Sequence, residues 1–535
     1  MIDLSGLFGL RAYLIGHLSG RSGMIDGLIS PTVWTGNLWH GLGSGAASDF
    51  SSSLANTVGS SVSSGISLGL LPLLAEVDEA EVGSLVMAGV LLSLITVFIA
   101  AKVGGELCAR LNLPSVLGEL VGGVVVGISA LHLIVFPEGA SIPHSALMDF
   151  VQMVSGFEPE GMLQVFKGES EALNVLAELG VIILLFEIGL ESDLKELIRV
   201  GPQAAVVAIV GVLVPFVAGT VGLIAFFGIG TIPAVFAGAA LTATSIGITA
   251  KVLAEMQQLS SREGQIIIGA AVLDDVLGII VLAVVASLAK TGEIEIANVV
   301  FLVLGAAAFL IGSIFLGRLL SPLFVALVDQ LQTRGQLIIS SLIFAFVLSY
   351  IAAAIHLETI LGAFAAGLIL AETSKRKELE EQITPIADML VPVFFVTVGA
   401  RTDISVLNPM VAANREGLII ASFLVVIAIL GKTITGFAVF GQPGINRLAV
   451  GFGMIPRGEV GLVFAGVGAA SGVLSESLDA AIIVMVIVTT FIAPPLLRLV
   501  FERDDDAGDA PIAAAEDAAG KAAIAEGAVE SAEPS

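Results

Sequence analysis

Apolar residues in this chain gather into long unbroken blocks. They do not alternate, nor do they recur at the spacing of a half-exposed helix. Reading from residue 83, thirteen such blocks can be marked, starting near residues 84, 115, 172, 204, 232, 264, 299, 335, 357, 384, 416, 446 and 477. A membrane-spanning helix needs about 20 mostly apolar residues, and these blocks supply them. Continuous runs exclude an outer-membrane barrel, whose strands alternate. The predicted fold class is an all-α polytopic membrane protein with about thirteen spans, numbered here in chain order.

Composition agrees with that reading. Only 13% of residues are charged and 56% are hydrophobic, whereas soluble domains carry roughly 25% charge. The mean hydropathy is +1.01. The net charge of −25 is concentrated partly in the end of the chain, where Asp504, Asp505, Asp506, Asp509, Glu516 and Asp517 lie among alanines. Three regions follow: a Gly- and Ser-rich extension over 1–82, a transmembrane domain over 83–501, and an acidic tail over 502–535 expected to be disordered. The apolar stretch Ile66–Leu74 is too short to span. A single cysteine, Cys108, excludes intramolecular disulfides and cysteine-rich metal sites.

Lys and Arg set the expected orientation. One set of loops and span ends holds Lys102, Arg110, Lys195, Arg199, Lys251, Arg262, Arg318, Arg334, Lys375, Arg376, Lys377, Arg447, Arg498 and Arg503; the other holds only Lys167, Lys290, Arg401 and Arg415. The first span therefore starts outside and the C-terminus is cytoplasmic. The sequence also repeats itself. Ser115–Gly123 in span 2 resembles Thr359–Gly367 in span 9, and Phe186–Leu194 in span 3 resembles Val396–Ile404 in span 10. Both matches are seven spans apart, and an odd shift inverts the second copy. Spans 1–6 and 8–13 thus read as two inverted six-helix repeats, an arrangement that in secondary transporters places the site at the repeat interface.

Charges inside a bilayer mark function. Span 6 carries Asp274 and Asp275 near its middle, at an insertion cost of about 2.5–3.5 kcal/mol each. Adjacent residues point about 100° apart on a helix, so one can face a partner while the other faces a cavity. Lys432 sits inside span 11, where an ion pair with a buried carboxylate explains it better than snorkelling does. Span 5 contains Thr242, Thr244, Ser245 and Thr249 in Leu241-Thr-Ala-Thr-Ser-Ile-Gly-Ile-Thr. Its counterpart, span 12, contains Gly453-Met-Ile-Pro-Arg-Gly-Glu-Val-Gly, with Pro456, Arg457 and Glu459. Proline removes a backbone donor, and interrupted helices at matching positions point to a transporter site. Glu119 and Glu187 also fall within apolar runs and are open between structural and accessory roles. His132, His144 and His356 read as outer-side residues, more simply loop histidines than pH sensors.

Together these residues resemble the cation–proton antiporter superfamily, in its second, Asp-Asp branch, over about residues 83–501. The resemblance implies the sodium/proton antiporter fold, with a dimerisation domain and a core of two crossing, discontinuous helices, spans 5 and 12. It implies that Asp275 is the main cation ligand and proton carrier and binds the transported Na⁺. Asp274 pairs with Lys432, a further proton-releasing group, and Thr244 lines the site. Thr242, Ser245, Pro456, Arg457 and Glu459 fall at the crossing, the last two charges being structural or gating. The Asp-Asp pair resembles electrogenic members; the electroneutral branch has Asn-Asp.

The expected function is exchange of Na⁺, or Li⁺, for H⁺ by alternating access. Potassium–proton exchange is the alternative, and a cation channel a more distant one. An intramembrane aspartyl protease is not expected, because it needs its two carboxylates on facing helices. The chain is expected to be no enzyme, to need no cofactor, and to bind neither nucleic acid nor nucleotide. Its partners are the lipid bilayer and a second copy in a homodimer. A prokaryotic inner membrane or an internal energy-coupling membrane such as the thylakoid is the expected location.

Overall fold

The computed structural model describes residues 79–136, 144–157, 159–291, 296–410, 412–441 and 444–501. The extension up to residue 78 and the tail from residue 502, including the stretch Ile66–Leu74, lie outside the described residues. The described residues form α-helices joined by short turns, and eight of the helices are long and apolar enough to cross a bilayer.

The helices follow the apolar blocks. Spans 1 and 2 are α1 (Glu79–Arg110) and α2 (Ser115–Val126). A short helix that the blocks did not reveal, α3 (Ala146–Ser155), comes next, capped by Ser145 at the amide of Met148. Spans 3 and 4 are α4 (Pro159–Glu191) and α5 (Leu194–Phe227). Asp193 caps α5, accepting from the amides of Lys195 and Glu196, and left-handed Gly228 ends it. Span 5 is two helices, α6 (Thr231–Ala240) and α7 (Ile246–Glu255). Spans 6 to 11 are α8 (Arg262–Thr291), α9 (Ile296–Gln330), α10 (Gln336–Ala354), α11 (Thr359–Ala371), α12 (Arg376–Ala400) and α13 (Ala412–Phe437). Span 12 is again two helices, α14 (Arg447–Gly453) and α15 (Glu459–Ala470), and span 13 is α16 (Glu476–Phe501). Boundaries differ in both directions: α2 and α11 run for only 12 and 13 residues, whereas two other helices extend beyond their apolar blocks. Helix α4 begins at Pro159 rather than near 172, and α12 at Arg376 rather than near 384. Apolar content marks passage through lipid, and a helix continues into water wherever its polar residues are good helix formers.

Packing sorts the helices into two groups. Helix α4 packs on both α11 and α12, with α1 and α2 on one flank and α10 on the other. Helices α5, α8 and α13 form the second group with the interrupted spans, since α6 packs on α5, α8 and α15, and α14 packs on α8 and α13. Helix α9 touches α8, α10 and α11 and so connects the groups. The first group will be called the scaffold and the second the crossing group. The outward faces suit lipid: Leu91, Ile95, Ile99, Val103 and Leu107 make a four-residue-spaced exposed stripe along α1.

Glycine allows the scaffold helices to meet backbone to backbone. A Cβ on Gly399 would lie 2.9 Å from Gly123 Cα, and one on Gly367 would lie 2.9 Å from Gly189 Cα, with main-chain oxygens closer still in both cases. These contacts fall at matched positions of the two sequence likenesses noted above. Gly123 corresponds to Gly367 and Gly189 to Gly399, so the α2–α12 contact maps onto the α11–α4 contact. The same holds one layer out, where Gly118 meets Gly104 of α1 and its counterpart Gly362 meets Leu348 of α10.

Because the opposing atoms are backbone, substitution must separate whole helices. Gly367→Val is expected to destabilise the protein by about 1–3 kcal/mol, read as a lowered melting temperature in detergent. Gly305→Ala, whose Cβ would meet nothing within 4 Å, is expected to leave it unchanged.

A buried ion pair beside two crossing broken helices

Asp274 and Asp275 lie midway along α8, 0% and 3% exposed, and Lys432 of α13 is 0% exposed. Lys432 Nζ donates to Asp274 Oδ2 at 3.1 Å. The sequence expectation of an ion pair across spans 6 and 11 is thus what the geometry contains. The other oxygen, Asp274 Oδ1, is buried with no hydrogen-bond partner among the described residues. Room for the ammonium comes from α5, because a Cβ on Gly211 would lie 3.2 Å from Lys432 Nζ. One turn further along α5, Pro215 packs on Gly431 at the same α5–α13 seam, where a Cβ on Gly431 would lie 3.0 Å from Pro215 Cγ. Glycine at 211 had no sequence signal of its own; only the lysine opposite it explains the choice.

The two interrupted spans cross against α8. Helix α6 ends at Leu241 and α14 at Met454, both partway through the bundle, and the chain resumes helical geometry at Ile246 and Glu459. Pro456 lies within the second gap, where its missing N–H costs no helical bond. Each gap satisfies the other. Ser245 N donates to Pro456 O at 2.8 Å. Thr244 Oγ1 donates to Met454 O at 3.2 Å, and Thr249 Oγ1 to Gly453 O at 2.9 Å. Thr242 differs: its hydroxyl turns back to Ala239 O of its own helix at 2.7 Å. Ser245 Oγ is buried with no hydrogen-bond partner among the described residues.

Arg457 ties the crossing together. Its guanidinium donates to Ala243 O at 2.8 Å, to Met454 O at 3.5 Å, and also to Leu241 O. Leu241 and Met454 cap the C-terminal ends of α6 and α14, where helix dipoles place partial negative charge, and Ala243 lies in the gap after α6. A fully buried arginine is therefore matched to two converging dipoles. Its own carbonyl accepts from Thr490 of α16. Glu459 starts α15, and its side chain lies outside the described residues.

Asp274 lies within electrostatic reach of both Lys432 and Arg457, and Asp275 within reach of Lys432. The two carboxylates and two cations thus form one buried cluster whose formal charge is zero when all four are ionised. Glu119 and Glu187 do not join it; they lie among the scaffold charges facing α7. The three histidines are exposed, with His132 and His356 in loop conformations of positive φ. Sequence reasoning also passed over Thr490, which occupies an otherwise unremarkable Thr-Thr pair in α16.

Removing one member of a buried pair strands the other charge. Lys432→Ala is expected to cost about 3–5 kcal/mol in unfolding free energy. Adding Asp274→Asn is expected to recover much of that loss, giving a non-additive double-mutant cycle.

With the geometry in hand, comparisons with known proteins are informative. The profile of the family described as sodium/hydrogen exchanger, transmembrane, matches residues 70–503. The chain is 66% identical over 439 residues to the high-affinity Na⁺/H⁺ antiporter NhaS3 of Synechocystis, covering 81% of this chain and 95% of that one. It is 33% identical over 416 residues to the Na⁺/H⁺–K⁺ antiporter GerN of Bacillus cereus, covering 77% and 96%. A solved structure of the sodium proton antiporter MjNhaP1 from Methanocaldococcus jannaschii superposes with a TM-score of 0.51 at 16% identity, covering 81% of this chain and 96% of that one. That likeness concerns the fold alone. On the family match and the sequence relatives, the chain belongs to the sodium/hydrogen exchanger family.

Proposed function

We propose that this protein exchanges Na⁺ for H⁺ across its membrane by alternating access, with Asp275 as the shared cation and proton ligand. The observation that carries the reading is the neutral four-charge cluster of Asp274, Asp275, Lys432 and Arg457, buried beside two broken helices. A cation entering such a cluster brings an uncompensated positive charge into a poorly solvated place, which is strongly unfavourable. It becomes acceptable by replacing a proton already held on Asp275, since the cluster carries one excess positive charge in either case and that carboxylate does not hold both. Cation binding and proton release are then one event, and each species competes for the other's place. Lys432, which donates to Asp274, is the second group able to release a proton. Thr244 and the backbone of the crossing line the cation's path, and the buried Ser245 hydroxyl is available beside them.

The names of the relatives support sodium and protons as substrates, and one names potassium as well. Potassium–proton exchange is therefore the second reading. The vicinal carboxylates favour an electrogenic stoichiometry, since two acids at one site can return more than one proton per cation. The paired glycine contacts of the scaffold support inverted repeats. The excess of Lys and Arg at one set of loops supports a cytoplasmic C-terminus and an outer start for α1, in an inner or internal energy-coupling membrane. The exposed stripe of α1 suits a homodimer interface as well as lipid.

The test is proton movement in proteoliposomes with an imposed pH gradient, with Na⁺, Li⁺ and K⁺ added separately. Sodium and lithium are expected to collapse the gradient in wild type. Asp275→Asn is expected to reduce the response to that of empty liposomes while retaining the wild-type melting profile. An equal response to K⁺ would move the substrate to potassium or mixed specificity. Undiminished exchange by Asp275→Asn would refute the carboxylate mechanism.

A further inference from the structure

Helix α7 has one end in the crossing and the other on the scaffold. It spans ten residues, Ile246–Glu255, or about 15 Å. At its start, Ser245 and Thr244 hold Pro456 O and Met454 O. At its last residue, Glu255 Oε2 accepts from Ser115 N at 2.8 Å, and Oε1 accepts from Ser115 Oγ. Ser115 is the first residue of α2, directly after Pro114. The carboxylate thus satisfies an amide that a helix start leaves open, and it meets the positive end of the dipole. Such charge-assisted bonds are among the stronger hydrogen bonds.

One turn earlier, Lys251 faces the scaffold's carboxylates. It lies within electrostatic reach of Glu119 on α2 and of Glu187 and Glu191 on α4. Glu255 itself, Lys102 of α1 and Asp388 of α12 complete the charges around Glu119. Glu119 Oε2 is buried with no hydrogen-bond partner among the described residues, so Lys251 is a principal compensation for that carboxylate. Between the charged end and the crossing, the contact is apolar and loose. A Cβ on Gly247 would lie 3.6 Å from Phe394 of α12 and 3.7 Å from Val181 of α4. The polar contacts of this helix with the scaffold are therefore gathered at its far end, where the Glu255–Ser115 bonds are exposed to solvent.

We propose that Glu255 and Lys251 are positioning residues that clamp α7 to the scaffold helices in this state, and that the clamp opens once in every exchange cycle. The inference rests on the alternating-access reading above. If the crossing group moves against the scaffold, the Glu255–Ser115 bonds join exactly the two bodies that must part. The clamp then sets how strongly this state is favoured without touching the cation.

The test locks the clamp reversibly. Cys108 is the chain's single cysteine, so Cys108→Ser gives a cysteine-free background, to which Ser115→Cys and Glu255→Cys are added together. The full-length protein is reconstituted and treated with a short, reducible bifunctional methanethiosulfonate. The expected result is that Na⁺-driven proton flux falls at least tenfold on linking and returns on reduction, while the cysteine-free protein is indifferent to the reagent. Unchanged flux in protein shown by mass to be linked would overturn the proposal. Because linked and reduced forms of one sample are compared, loss of the clamp effect is distinct from a protein that exchanges no sodium at all. A second variant avoids the cysteines. Glu255→Ala is expected to shift the apparent KM for Na⁺ at least threefold, with Glu255→Asp restoring part of the shift. A KM identical to wild type in a stably folded Glu255→Ala protein would equally contradict the clamp.

Discussion

A charge buried within a bilayer must meet its opposite or be neutralised, and in this protein that constraint organises the crossing group. Asp274 and Lys432 come from helices 158 residues apart in sequence and meet at 3.1 Å with no exposure. Helix α5 then has to be narrow where the ammonium ends, and Gly211 makes it so. The interrupted spans face the same problem in backbone form. Two helix ends converge with their carbonyls unsatisfied, and Arg457 brings both a charge and several donors to them. The fully ionised cluster is formally neutral, and it carries the same single excess charge whether Asp275 holds a proton or a cation. That equivalence, with the cost of a second excess charge in a poorly solvated place, is the physical basis proposed for coupling a cation to a proton.

The scaffold solves a different problem by different means. Lipid tails are as apolar as the side chains, so helices there gain little by hiding leucines from one another. Close backbone approach at Gly123, Gly399, Gly189 and Gly367 gives dense contact instead. Four scaffold helices, α2, α4, α11 and α12, thus meet backbone to backbone, whereas the crossing group is built around buried polar side chains. Helix α7 belongs by sequence to the crossing and by contact to the scaffold, which makes it the place where movement of one body is felt by the other.

Much of this was legible in the sequence because lipid imposes severe rules. Each long apolar block coincides with a helix or a helix pair, eight of the described helices being long enough to cross a bilayer, and Asp274, Asp275 and Lys432 stood out as costly residues in such blocks. Pro456 and the hydroxyl-rich stretch of span 5 announced breaks that the structure contains at those positions. Other features were silent because their meaning is relational. Gly211 matters through Lys432, Thr490 through the carbonyl of Arg457, and Glu255 through the amide of Ser115, 140 residues away. Thr242 shows the opposite case, a hydroxyl inside a conspicuous motif that bonds only its own helix. Helix α3 escaped notice because a helix of ten residues with a polar face leaves no long apolar block.

The claim at the centre of this account is that sodium and protons displace one another from a single buried cluster. Calorimetry of Na⁺ binding to the purified protein, in buffers of different ionisation enthalpy, measures the protons released per ion bound. The account predicts release on binding to wild type, weaker binding as pH falls, and neither binding nor release in Asp275→Asn. Sodium binding with no accompanying proton release, at an affinity independent of pH, would contradict it.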